Sequence, residues 1–154
     1  IEVSNYECDN NWALLLDTDN FIAEGTGDNF FIVKDGKLYT PEPRNILRGI
    51  SRGYIMQLCQ TQGIECIERN LDVYDVVNAD EAFMSGTPFC MLPVTSINGQ
   101  KIGNGKMGDM TQRLIDLWGK NVGVDIIGQI KEWNRNSSKG RSNAPSPYSF
   151  KAKG

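Results

Sequence analysis

Two stretches decide the reading of this chain: Ile22-Ala23-Glu24-Gly25-Thr26-Gly27-Asp28-Asn29, running into Phe30-Phe31-Ile32-Val33, and Leu47-Arg48-Gly49-Ile50-Ser51-Arg52. The first sets one isolated acid, Glu24, in a glycine-rich turn and follows it with a β-branched and aromatic run that reads as a buried strand. The second is another glycine turn, placed where a helical pattern opens. Together they predict one buried carboxylate and one helix N-terminus within a mixed α/β fold.

Working outward, Lys34-Asp35-Gly36-Lys37 reads as a hairpin with a two-residue Asp-Gly turn between FFIV and LYT. Pro41 and Pro43 end the second strand. Ile46–Gln62 has helical spacing, with Ile50, Tyr54, Ile55, Leu58 and Cys59 on one face and Gly63 at the C-terminal position. Upstream, Trp12–Asp17 (WALLLD) reads as a buried strand and Asp17–Asn20 as a turn. Downstream, Glu65–Asn70 reads as a strand and Val73–Ala79 as a short helix. Ala82–Ser85 and Met91–Thr95 read as strands around Gly86-Thr87-Pro88. Ser96–Gly108 contains an Asn98-Gly99 hairpin. Asp109–Trp118 is expected to be an amphipathic helix with Met110, Leu114, Leu117 and Trp118 inward, extending past a break at Gly119 or Gly123 through Ile126, Ile127, Ile130 and Trp133. From residue 134 the composition turns to Ser, Asn, Lys, Gly and Pro, so the expected organisation is one domain over 1–133 and a mobile tail or interaction arm over 134–154.

A chain of 154 residues with 40% hydrophobic content can bury one sizeable core. A formal net charge of −3 argues against a nucleic-acid partner, which clustered Lys and Arg would serve. No apolar run approaches the roughly 20 residues of a membrane span. Four cysteines (Cys8, Cys59, Cys66, Cys90) without CxxC spacing read as reduced thiols of a cytoplasmic protein. There is no histidine. That excludes Ser-His and Cys-His nucleophile systems and the HExxH metal site within this chain, and no metal site is expected. Proton transfer must use Lys, Tyr, carboxylates or a cofactor. No lysine precedes Lys34, and Ile1 in place of a methionine points to processing or truncation.

At Gly49-Ile50-Ser51 the free amides of a helix start, the helix dipole and the Ser51 hydroxyl suit a phosphate. Taken alone, Ser51 could merely cap the helix. A carboxylate at Glu24 would favour the protonated form of a pyridine-type ring nitrogen, though a lone Glu in a turn is ordinarily solvated. Met84-Ser85-Gly86-Thr87-Pro88 places a hydroxyl and amides between two strands, fit for a phosphate or carboxylate, or for nothing beyond a tight turn. The three in combination suit a cofactor with a basic ring nitrogen at one end and a phosphate at the other.

The order and spacing of EGTGDNFF, LRGISR and ADEAFMSGT resemble the class IV aminotransferases, the fold-type IV pyridoxal 5'-phosphate (PLP) enzymes, over about Ala13 to Trp118. The resemblance implies the pseudo-barrel large domain of that family with flanking helices. It implies PLP held by Glu24 at the ring nitrogen, Leu47 against the ring, Gly49, Ile50 and Ser51 at the phosphate, and Gly86 and Thr87 from the other side. The Thr87–Pro88 turn would face the substrate carboxylate, and Asn29 would brace the Glu24 turn. The parent reaction would move an amino group between an amino acid or amine and a 2-oxo acid in a homodimer. A lyase of the same family, or a non-catalytic binding protein built on this domain, are the alternatives. The family's Schiff-base lysine would lie upstream of Ile1, together with the smaller N-terminal domain, so no catalytic residue is assigned within this chain and the fragment alone is expected to be inactive. Pro88 departs from the branched-chain enzymes, which use a backbone N–H at the corresponding position; proline has none.

Overall fold

The computed structural model describes residues 11–129 and 131–132. The elements run β1 (Leu14–Leu16), β2 (Ile22–Gly25), β3 (Asn29–Lys34), β4 (Lys37–Thr40), α1 (Ile50–Thr61), β5 (Cys66–Glu68), α2 (Val73–Val77), β6 (Glu81–Gly86), β7 (Cys90–Val94), β8 (Ser96–Ile97), β9 (Gln100–Lys101) and α3 (Asp109–Val122). The expected mixed α/β architecture is present. Among the described residues a five-stranded sheet has the order β5-β4-β3-β6-β7, and β1-β2 and β8-β9 form two-stranded ribbons. Only β4–β5 is a parallel pair in the large sheet.

The FFIV run lies at the centre because both of its faces are covered. Phe31 and Val33 join Leu38, Phe83 and Met91 against Ile55, Leu58 and Cys59 of α1 and Leu114 and Ile115 of α3. Phe30 and Ile32 join Ala82 and Met84 against Ile22, Leu71, Val76, Ala79 and Ile102 on the opposite face. Phe31 and Phe83, register partners across β3 and β6, stack with ring centroids 4.9 Å apart. Each such fully buried side chain contributes about 1.5–3 kcal/mol.

The turn chemistry follows the sequence. Asp35 and Gly36 have φ of 51° and 72°, as a type I′ hairpin requires, and Asn98 and Gly99 repeat the pattern at 48° and 78°. Asp17 Oδ1 accepts from the N–H groups of Asp19 and Phe21 and so builds the predicted turn. Gly63, with φ 64°, follows α1.

Several expectations are corrected. WALLLD gives only the short β1, and Trp12, Leu15 and Leu16 are exposed, because β1 pairs with β2 alone rather than entering the large sheet. Glu24 occupies the end of β2, ahead of the turn, and is half-buried. Helix α1 begins at Ile50, not Ile46, since Gly49 is extended (φ −61°, ψ 144°). Ile50 is therefore a first-turn residue pointing outward, 89% exposed, and the inward place is taken by Arg52. In α3, Ile115 rather than Leu117 joins the core. Helix α3 runs through Gly119 and ends at Gly123, whose φ is 70°; residues 126–129 are helical again. Cys8, Ile130, Trp133 and the expected tail lie outside the described residues.

Candidate functional site

Glu24, Asn29 and Leu47 form one hydrogen-bonded unit. Asn29 Nδ2 donates to Glu24 Oε2 at 3.1 Å and to the Leu47 carbonyl at 2.8 Å. The Leu47 N–H donates to the same Glu24 oxygen at 2.9 Å. Both bonds converge on Oε2 and fix the direction of the carboxylate. Asn29 is buried at the start of β3, which is what allows it to orient a half-buried acid.

Gly49 is required by this unit. A Cβ there would collide with Asn29 Oδ1, so a side chain at 49 would push α1 off the asparagine. Immediately beyond Gly49, α1 starts with no side-chain cap hydrogen bond. Its first-turn amides are among the donors that a helix cannot satisfy internally. Ser51, half-buried, lies in this turn. Leu47, 75% exposed, and Ile50 present apolar surface beside the same helix end.

The Ser85–Pro88 turn is tied in through Asn29, which is the register partner of Ser85 across β3–β6. Gly86 follows directly and ends β6, and Thr87 and Pro88 are exposed in the turn before β7. The Phe89 N–H donates to the Gly86 carbonyl at 3.3 Å. With Pro88 lacking an N–H and Phe89 so committed, Thr87 is the residue of this turn with donors to offer. Trp12, just ahead of β1, meets Phe89 edge-on at 5.8 Å and so borders the turn.

Some residues of this region escape a reading of the sequence. Arg52, 4% exposed, donates from Nη2 to the Pro41 carbonyl at 3.0 Å and to Glu68 at 2.6 Å, pinning the first turn of α1 to the residue after β4 and to β5. Asp28 and Ser85 are buried polar groups whose side-chain oxygens have no hydrogen-bond partner. Burial, and next the charge of Glu24, push the Asp28 carboxyl up to about 6. No sequence signal marks the burial of Asp28 and Ser85, although they stand within the EGTGDN and MSGT motifs. Among the lysines, Lys34 pairs with Asp80 and Lys37 with Glu65, at the end of the β3–β4 hairpin remote from Asn29. No group of three or more metal-ligating side chains occurs among the described residues.

The model of the family described as amino-transferase class IV matches residues 2–97. The chain belongs to the class IV amino-transferase family. A branched-chain-amino-acid aminotransferase of Pseudomonas aeruginosa is 41% identical over 102 residues, 66% of this chain and 33% of that protein. A putative branched-chain-amino-acid aminotransferase of Methanocaldococcus jannaschii is 45% identical over 103 residues, 66% of this chain and 36% of that protein. The branched-chain amino acid aminotransferase of Thermobaculum terrenum, solved in its PLP-form, superposes with a TM-score of 0.69 at 36% identity, over 72% of this chain and 37% of that one. This class IV chain thus spans about a third of the length of these relatives.

Proposed function

We propose that this chain carries the cofactor-binding part of a PLP-dependent aminotransferase acting between an amino acid and a 2-oxo acid, of the branched-chain type. The observation that carries the reading is the pairing of an uncapped helix start with a carboxylate tied to the same loop: the Leu47 N–H holds Glu24 Oε2, and α1 opens three residues later without a side-chain cap. An acid for a ring nitrogen and a set of amides for a phosphate are thereby fixed relative to each other.

The residues present fit the cofactor. Glu24 would meet the ring nitrogen with Oε1, the oxygen not engaged by Asn29 and Leu47. Leu47 would cover one face of the ring. The amides of Ile50 and Ser51 with the Ser51 hydroxyl, over the close approach permitted by Gly49, would take the phosphate, and Gly86 and Thr87 would close the cup. When bound, PLP supplies an electron sink for the substrate's α-carbon. The chain's own part is to hold that group, keep the ring nitrogen protonated through Glu24 and, at Thr87 beside Pro88, offer donors to a substrate carboxylate.

The lysine that the chemistry needs is assigned to the part of the protein outside this chain. Lys34 and Lys37 are engaged in hairpin ion pairs, and Lys101 and Lys106 lie in β9 and the loop after it. The N-terminal domain, homodimeric state and cytoplasmic location belong to the same reading, which rests on the family. No helix among the described residues is long and apolar enough to cross a membrane. The test is leucine-dependent amination of PLP in the full-length protein, followed by absorbance, with Glu24→Ala alongside. Loss of turnover with the fold retained supports the assignment. Unchanged turnover in Glu24→Ala removes Glu24 from the site.

A further inference from the structure

The carboxyl of Asp28 lies against Gly25, the residue that follows Glu24, and fills the space a side chain at 25 would occupy. The Gly25 N–H is bonded to the Asp28 carbonyl at 3.0 Å, which closes the turn and holds the two acids together. Asp28 is 5% exposed, and neither of its carboxylate oxygens has a hydrogen-bond partner. An ionised carboxylate in such a place is costly, and a neutral one far less so. Glu24, by contrast, is held by two donors on one oxygen. The turn thus contains two carboxyls in unequal surroundings, one half-buried and braced, the other dry and unbraced.

We propose that Glu24 and Asp28 form a two-carboxyl unit in which Asp28 keeps its proton while Glu24 is unpaired and releases it to solvent when Glu24 holds a cationic ring. The proton moves from the Asp28 carboxyl to water, no bond other than that O–H is broken, and the bound cation compensates the charge left behind. This rests on the reading of Glu24 as the ring-nitrogen partner. Glu24, from β2, is the titratable group among the described residues whose charge bears on Asp28, and it raises the proton affinity there after burial has done so. The Gly25 amide acts in the opposite direction and is already shared with the Asp28 carbonyl. A cation on Glu24 cancels the repulsive contribution, so ligand binding and the Asp28 proton are linked. Asp28 is in this sense a positioning residue: it acts on the ring through Glu24, and the second negative charge it exposes strengthens the hold on a protonated ring.

The experiment is calorimetric titration of the full-length protein, freed of cofactor, with pyridoxamine 5'-phosphate, which needs no lysine. Repeating it in buffers of different ionisation enthalpy counts the protons released. Wild type should release a fraction of a proton more than Asp28→Asn near pH 6, and the two should agree at pH 8. Infrared difference spectra of wild type give the same answer without a variant: the band of a protonated buried carboxyl should be lost on binding at pH 6. Equal proton counts with tight binding, or an unchanged carboxyl band, overturn the inference and leave the cofactor reading standing. Absence of pyridoxamine phosphate binding in wild type overturns both.

Discussion

The side chain of Asn29 reaches the main chain of Leu47, its Nδ2 2.8 Å from the Leu47 carbonyl, across 18 residues of sequence. Through that bond the strand that leads out of the Glu24 turn fixes the loop that opens α1. Asn29→Ala should leave the Leu47 carbonyl and the Glu24 carboxylate each short of a donor. We expect a stability loss of about 1–3 kcal/mol by urea unfolding, with weaker pyridoxamine phosphate binding in the full-length protein. Retained affinity alongside the stability loss would separate the brace from the binding site.

Two glycines, one just before α1 and one within it, should respond in opposite ways. Gly49→Ala places a methyl group on Asn29 Oδ1 and should destabilise by about 1–3 kcal/mol. Gly53, exposed in the body of α1, has open space where its Cβ would stand. Gly53→Ala should stabilise by about 0.5–1 kcal/mol. Paired denaturation curves decide the matter, and a neutral Gly49→Ala would contradict the close approach.

Glu81 caps α3 from another element. Its carboxylate accepts from the N–H of Met110 at 2.9 Å, the N–H of Thr111 at 2.8 Å and the Thr111 hydroxyl at 2.7 Å. Glu81→Ala should cost about 2–3 kcal/mol, the range of a lost charge-assisted cap. The amides at the start of α3 should lose hydrogen-exchange protection while those of α1 keep it. Uniform loss over both helices would mean that the cap is not a local device.

These residues show what a sequence conveys and what it does not. The Asp35-Gly36 and Asn98-Gly99 hairpins were legible because φ > 0 at consecutive positions is a local demand met by few residues. The FFIV strand was legible because a strand buried on both faces is apolar throughout. The nearness of Leu47 to Glu24, made by Asn29 and the Leu47 N–H, was expected from the resemblance carried by three motifs in order. The outward turn of Ile50 and inward turn of Arg52 were not, because the Arg52 Nη2 finds its partners at Pro41 and Glu68, 11 and 16 residues away in sequence. Periodicity assigns apolar residues inward and cannot foresee a buried arginine whose partners lie on other strands. Glu81 was silent for the same reason: its partners are 29 and 30 residues on. The exposure of β1 was missed since an apolar run does not say whether a second layer covers it.

Ser51 and Thr87 allow the proposed phosphate cup to be tested apart from the proposed ring site. The double variant Ser51→Ala, Thr87→Ala removes two hydroxyls but leaves Glu24, Asn29 and the α1 amides in place. In the full-length protein its affinity for pyridoxamine 5'-phosphate should fall about 100-fold or more, each lost neutral-to-charged hydrogen bond being worth about 1.5–3 kcal/mol. Affinity for pyridoxamine, which lacks the phosphate, should change little. Equal losses for both ligands would place the hydroxyls elsewhere.

Asp28 gives the stability of the apoprotein a pH dependence of unusual sign. Its carboxyl is pushed up to about 6, by burial first and the Glu24 charge second, from an ordinary value of 3.8. Below about pH 4 the group is protonated in folded and unfolded chains alike and contributes no difference. Between about pH 4 and 6 the unfolded chain releases the proton while the folded one retains it, so this residue lowers stability as pH rises through that window. Above about pH 6 the penalty levels off at about 1–3 kcal/mol, the free energy of holding a carboxylate where its proton is favoured roughly a hundredfold. Asp28→Asn removes the ionisation and keeps the shape. The variant should unfold at higher urea concentration than wild type at pH 7.5, and the two curves should converge as the pH falls to about 4. A variant less stable than wild type at pH 7.5 would mean that the ionised carboxylate finds a donor in solution, and the dry setting of this acid would no longer account for its proton.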